Sequence, residues 1–134
     1  MQFRYLRDPL FLTAVGLYIV NRFLIKPLVT GGFFHNHFND LLCIPLFVPI
    51  VLYLARLCRA RPHDGPPAWY EILLPLLVWS IQFELIFPQL PYWSRYVTGD
   101  PLDILWYCVG AGISSLWWRF YYHRQTAEAS KTPC

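Results

Sequence analysis

Apolar residues in this chain fall into four long blocks separated by short polar or proline-rich breaks. A helix needs about 20 mainly apolar residues to cross the hydrocarbon core of a bilayer. Four segments meet that need, at about 9–28, 40–57, 69–87 and 101–121. Their starts carry capping chemistry. Asp8-Pro9-Leu10 and Asp100-Pro101-Leu102 repeat one pattern, in which Asp caps the orphan backbone N–H groups and Pro occupies the first helical position. Asn39 or Asp40 is expected to cap the second block. Asp64-Gly65-Pro66-Pro67 breaks the chain before the third, and Pro88 and Pro91 stop it. Pro45, Pro49 and Pro75 lie inside blocks, where a bundle can satisfy the carbonyls they free, and kinks are expected there.

The predicted fold is all-α: an integral membrane bundle of four transmembrane helices, 1–125, followed by a disordered cytoplasmic tail, 126–134. Composition agrees. Hydrophobic residues make up 56% of the chain and charged residues 14%, where a soluble domain carries about 25% charge. That is too little to coat a soluble surface, so lipid is the expected solvent.

The basic residues set the orientation. Arg4 and Arg7 precede the first block, Arg56, Arg59 and Arg61 follow the second, and Arg119, Arg124 and Lys131 follow the fourth. In a four-span chain these groups share one side. The positive-inside rule makes that side cytoplasmic, with both termini there and the loops Thr30–Asn39 and Pro88–Gly99 outside. The expected location is the inner (cytoplasmic) membrane, as a multi-pass protein. The first block is too long for a signal peptide and has no small-residue cleavage site, so it is expected to be retained. Trp117, Trp118, Tyr121 and Tyr122 are expected to anchor the inner interface. The basic groups lack the interleaved aromatics of an RNA-binding surface, and no nucleic-acid partner is predicted.

Candidate chemistry gathers at the opposite side. Glu84 lies about one turn before the end of the third block. Asp103 sits in the first turn of the fourth, Asp100 at its cap, Asp40 at the start of the second, Arg22 near the end of the first, and Arg95 in the outer loop. Ionisable groups at membrane depth must pair, cap or bind something. Arg22 and Arg95 are the expected partners of Glu84. Two carboxylates beside an arginine could hold a divalent cation, move a proton, serve as acid and base, or orient an anionic headgroup on the arginine. His35 and His37 read as solvated loop histidines, and neither a metal site nor a cofactor is predicted. Cys43, Cys58, Cys108 and Cys134 have no metal-ligand or CxxC spacing, and read as packing residues. Gly110 with Ser114, and Ala111 with Ser115, have the four-residue spacing of close helix packing, within the chain or in a homodimer through the fourth span. No nucleophile sits at a convincing spacing from a histidine, so no catalytic residue is named.

Phe83-Glu84-Leu85, Arg95, and the run from Asp103 through Tyr107 to Gly110 and Ala111 resemble the VanZ-like family of small bacterial membrane proteins. That family shows Glu at a helix end, then Arg, then Asp, then a polar residue and Gly on the last helix. Phe87 stands where the family often has Gln, and Tyr107 where it often has Asn. The whole chain is also similar to small four-span bacterial membrane proteins, some labelled magnesium–citrate secondary transporters. The resemblance implies an envelope-associated membrane protein and no particular activity; with no nucleophile in place, a binder is expected rather than an enzyme. The expected function is an outward-facing pocket for a lipid headgroup or small anionic ligand, held by Arg95 with Glu84 and Asp103 orienting it. The alternatives are a small dimeric secondary transporter coupled to protons or cations through Glu84, and a membrane-embedded enzyme on lipid-linked substrates. Membrane lipids are the expected partners.

Overall fold

The computed structural model describes residues 2–95 and 99–129, with side chains to residue 124. Every regular element among them is helical. A 3-10 turn, Tyr5–Arg7, leads into α1, Pro9–Val20, which continues as a π-helical segment, Asn21–Ile25. A short α2, Phe33–Asn36, abuts α3, Phe38–Leu57. Then α4, Trp69–Trp79, runs into a π-helical segment, Ser80–Ile86, and a 3-10 turn, Phe87–Gln89. Finally α5 extends over Pro101–Ala129.

Local chemistry explains the boundaries. Asp8 Oδ1 accepts from Phe11 N at 3.1 Å with Pro9 at the first helical position. Asp100 Oδ1 accepts from Leu102 N at 2.9 Å. In α4 the Glu71 side chain reaches back to Ala68 N at 2.9 Å. The expected cap of the second block does not form: α3 starts at Phe38, ahead of both Asn39 and Asp40. Asn39 instead accepts a bond from Asn21 Nδ2 at 2.9 Å, tying α1 to α3. Helical structure is unbroken through Pro45 and Pro49. The fourth helix continues past the expected end at Tyr121 to Ala129, so the backbone of 126–129 is helical where a disordered tail was expected. The rest of that tail, 130–134, lies outside the described residues.

α3 is the hub. It packs most extensively on α5 and also touches α1 and α4. Its buried stripe, Ile44, Val48 and Leu52, meets Ile72 and Leu76 of α4 and Tyr107 and Trp118 of α5. Pro45 cannot donate to the Leu41 carbonyl one turn earlier. α5 approaches that carbonyl so closely that a Cβ on Gly110 would overlap the oxygen. Ser114 is fully buried and returns its hydroxyl to Gly110 O at 2.7 Å. The Gly110–Ser114 face is therefore used within the chain.

The outward faces are apolar. Leu12, Ile19 and Phe23, Leu74 and Leu85, and Leu105, Ile113 and Phe120 are all exposed. Two helical stretches, Phe33–Leu57 and Trp69–Gln89, are long and apolar enough to cross a membrane by length and composition. The second, of 21 residues, covers roughly 30 Å at 1.5 Å per residue. Pro9–Ile25 is apolar but shorter, and Trp, Tyr, Gly and Ser dilute the apolar run of α5.

The N-terminal residues, the Trp118–Tyr122 part of α5 and the loop after α3 meet at one end of the bundle. Phe3 is buried against Trp118 and Tyr122. The Asp8 carboxylate is fully buried and accepts from Trp118 Nε1 at 3.1 Å and Tyr122 Oη at 2.7 Å. Arg61, only 3% exposed, pairs with Glu71 through Nε at 2.7 Å. It also donates to Tyr5 Oη and to the carbonyls of His63 and Gly65, each at 2.8 Å. Arg56 pairs with Asp64 at 2.8 Å. The other end, where α1 meets α2 and α4 meets α5, is built differently.

Candidate functional site

At that second end a cavity of about 520 Å³ opens between the helix termini. Each wall comes from a different element. Lys26 follows the π-helical end of α1, and His35 and Asn36 come from α2. His37 and Asp40 belong to the start of α3, and Phe83 and Glu84 to the π-helical segment of α4. Asp100, Asp103 and Tyr107 line it from the first turns of α5. A π-helical segment widens one turn, and such turns recur at functional sites because they re-aim side chains.

The polar contacts are specific. Glu84 Oε2 accepts from Asp100 N at 2.6 Å, and Glu84 Oε1 accepts from Tyr107 Oη at 3.5 Å. The carboxylate therefore faces the first backbone N–H groups of α5, where the helix dipole favours negative charge. The loop must come close for this: a Cβ on Gly99 would sit 2.7 Å from Glu84 O. His37 Nδ1 lies 2.7 Å from Asp103 Oδ1, and both side chains are largely buried. The Trp106 ring lies roughly parallel to the His37 ring, with centroids 6.4 Å apart. Asp40 is the near neighbour of Asp103. One ligand atom each from His37, Asp100 and Asp103 lie within 4.8 Å of one another, a spacing that can hold a metal ion.

Four of the six residues singled out from the sequence meet here: Glu84, Asp103, Asp100 and Asp40. The two arginines do not. Arg22 is exposed on the π-helical end of α1, and Arg95 is exposed in a 3-10 turn, Trp93–Arg95. Neither forms an ion pair among the described residues. The expected Glu84–arginine pair is thus replaced by the backbone N–H of Asp100 and the Tyr107 hydroxyl. The cause is local: Phe87 stacks on Trp93 at 4.9 Å and holds the Trp93–Arg95 turn against the end of α4, while Arg95 is left exposed. His37 also departs from expectation. It is not a solvated loop residue but a partner of Asp103, 66 positions away, and no local spacing marks that contact. Lys26, read from the sequence only as a topology marker, lines the cavity.

Counting formal charges, four carboxylates face one lysine and two histidines, with no arginine among the lining residues. On that formal count the lining is acidic and favours a cation over an anion. No family model, curated protein or solved structure matches the chain.

Proposed function

We propose that this chain is a multi-pass membrane protein, its four long helices all crossing the bilayer, whose outward-facing acidic chamber binds a cation. The observation that carries this reading is the convergence of Asp40, Glu84, Asp100 and Asp103, with His37, on one cavity. Bringing four carboxylates together at the rim of apolar helices raises the free energy of the unliganded state, and a cation lowers it. The ligand is a cation, rather than the anion expected from Arg95, because Arg95 lies outside the chamber. The four-span topology is supported by the meeting of the N-terminus, the loop after α3 and the far part of α5 at one end. That end carries Arg4, Arg7, Arg56, Arg59 and Arg61, so the positive-inside rule puts it in the cytoplasm and the acidic chamber outside. An inner-membrane, cell-envelope role and the VanZ-like resemblance of α4 and α5 belong to the same reading. Homodimerisation through α5 would use the exposed face of Leu105, Gly112 and Leu116, since Gly110 and Ser114 are occupied.

The test is a thermal melt of the purified chain in a non-ionic detergent, titrated with Mg²⁺, Zn²⁺ and ethanolamine. A ligand that binds the folded state alone at 100 times its Kd stabilises by about 2.7 kcal/mol. At least one cation should raise the melting temperature, and Glu84→Gln with Asp103→Asn should abolish the rise. Equal, salt-like responses in wild type and variant would overturn the reading. A secondary transporter is the second reading. It is favoured by the position of Glu84, which bridges α4 to the start of α5 and would break that bridge on protonation. Proton-driven cation uptake by proteoliposomes, lost in Glu84→Gln, distinguishes it from a binder.

A further inference from the structure

We infer that the cation taken by this chamber is the primary ammonium of a phospholipid whose acyl chain lies in an adjoining apolar cleft. This rests on the cation reading above and names its ligand class.

The cleft, of about 370 Å³, lies next to the acidic chamber toward the middle of the helices. Its walls include Tyr18 of α1, Leu46 and Phe47 of α3, and Trp79 and Phe83 of α4. Asp40, Phe83 and Tyr107 line both spaces, so the polar chamber and the apolar cleft abut across these three side chains alone. Tyr18 and Phe47 are 38% and 36% exposed, so the cleft opens on the outside of the bundle. On the four-span reading that outside is lipid.

Charge and shape together select the occupant. A metal ion needs only the corner formed by His37, Asp100 and Asp103 and leaves the cleft unused. An anionic lipid brings its charge against four carboxylates. A free fatty chain brings no cation to the acidic lining. A primary-ammonium phospholipid matches each part. Its three N–H donors would meet Asp40, Glu84 and Asp103, the single lysine lining the chamber, Lys26, supplies a positive charge for the phosphate, and the chain would cover Leu46, Phe47 and Trp79.

The experiment is lipid retention measured by native mass spectrometry on the full chain. The protein is offered phosphatidylethanolamine, phosphatidylglycerol and N-acetyl phosphatidylethanolamine, with Mg²⁺ and ethanolamine melts run in parallel. We expect about tenfold preference for phosphatidylethanolamine over each of the other lipids. Glu84→Gln with Asp103→Asn should erase that preference. Leu46→Trp, which fills the cleft from a half-exposed position, should reduce retention while leaving the ethanolamine melt unchanged. Phe47→Ala should reduce it in a second, milder way if the tryptophan variant does not fold. Equal retention of all three lipids, with the melts still responding to cations, overturns this inference and leaves the cation reading standing. Absence of both responses overturns the two together. Retention unchanged in both cleft variants also overturns it.

Discussion

The two ends of the bundle handle charge in opposite ways. At the inner end of the proposed topology, buried ionisable groups are matched donor for acceptor: Asp8 by Phe11 N, Trp118 and Tyr122, and Arg61 by Glu71, Tyr5 and two carbonyls. At the outer end, carboxylates are in excess and surround open space. A satisfied network ties elements together and leaves nothing for a ligand. An unbalanced one adds little to stability and keeps capacity for a ligand. The difference is what favours the chamber end as the candidate site, although the other end carries the more deeply buried charges.

The largest expected effect breaks the inner end. Arg61→Ala leaves Glu71, 11% exposed, without its counter-charge, and orphans the carbonyls of His63 and Gly65. Removing one partner of a buried pair costs about 3–5 kcal/mol. A thermal melt in detergent should show most of the protein's stability lost. A shift of only a degree or two would mean the inner network is decorative and the comparison fails.

Next comes the seam between the ends. Gly110→Ala places a methyl group on the Leu41 carbonyl, and since backbone is on both sides, the helices must separate. Overpacking of this kind costs about 1–3 kcal/mol. Because α3 and α5 both line the chamber, the cation response should weaken along with stability. A variant as stable as wild type would show that α3 and α5 do not approach here as described.

What was legible in the sequence follows the range of the physics. Helix starts at Pro9, Trp69 and Pro101 were readable because Asp-Pro caps and the Gly-Pro-Pro break act over a few residues. The shared depth of Glu84, Asp103, Asp100 and Asp40 was readable because helical rise converts position into height. Partners were not. Glu84 could be met by an arginine or by the N–H groups of a helix start, and charge alone ranks the arginine first. Only the path of the loop over Gly99 brings the start of α5 within reach. His37 and Asp103 lie 66 positions apart, and Asp8 lies 110 and 114 positions from Trp118 and Tyr122, so no local pattern marks either contact. The pairing of the Pro45 gap with Gly110 was likewise hidden, although the Gly110–Ser114 spacing correctly marked a close approach.

The third prediction turns to the outer end and should move stability little. Glu84→Gln loses an interaction with the start of α5 of about 0.3–1 kcal/mol, and it also removes a negative charge from a crowded chamber. The two changes oppose each other, so the unliganded melt should shift by less than about 1 kcal/mol, while the cation response disappears. The comparison with Arg61→Ala is then sharpest: a large loss of stability at one end, a loss of binding without it at the other. A collapse of folding in Glu84→Gln would make the outer end structural too.

The smallest effect is a pH dependence at the inner surface, outside the helices. The Tyr5 hydroxyl, 2.8 Å from Asp64, and the Arg56 guanidinium hold the Asp64 carboxyl below its ordinary range. The sign follows from linkage. A carboxyl whose folded pKa is depressed adds stability above its unfolded value of about 3.9, and that contribution is lost as pH falls through the lower folded value. Melting temperatures of wild type should therefore drop between pH 5 and the acid limit, relative to Asp64→Asn, by a small amount that shrinks further in high salt, because the pair is partly exposed. Between about pH 5 and 8 the difference between the two proteins should be flat, since Asp64 is ionised throughout that window in both the folded and unfolded chain. A difference that instead grew toward neutral pH would show that Asp64 is not the group responsible.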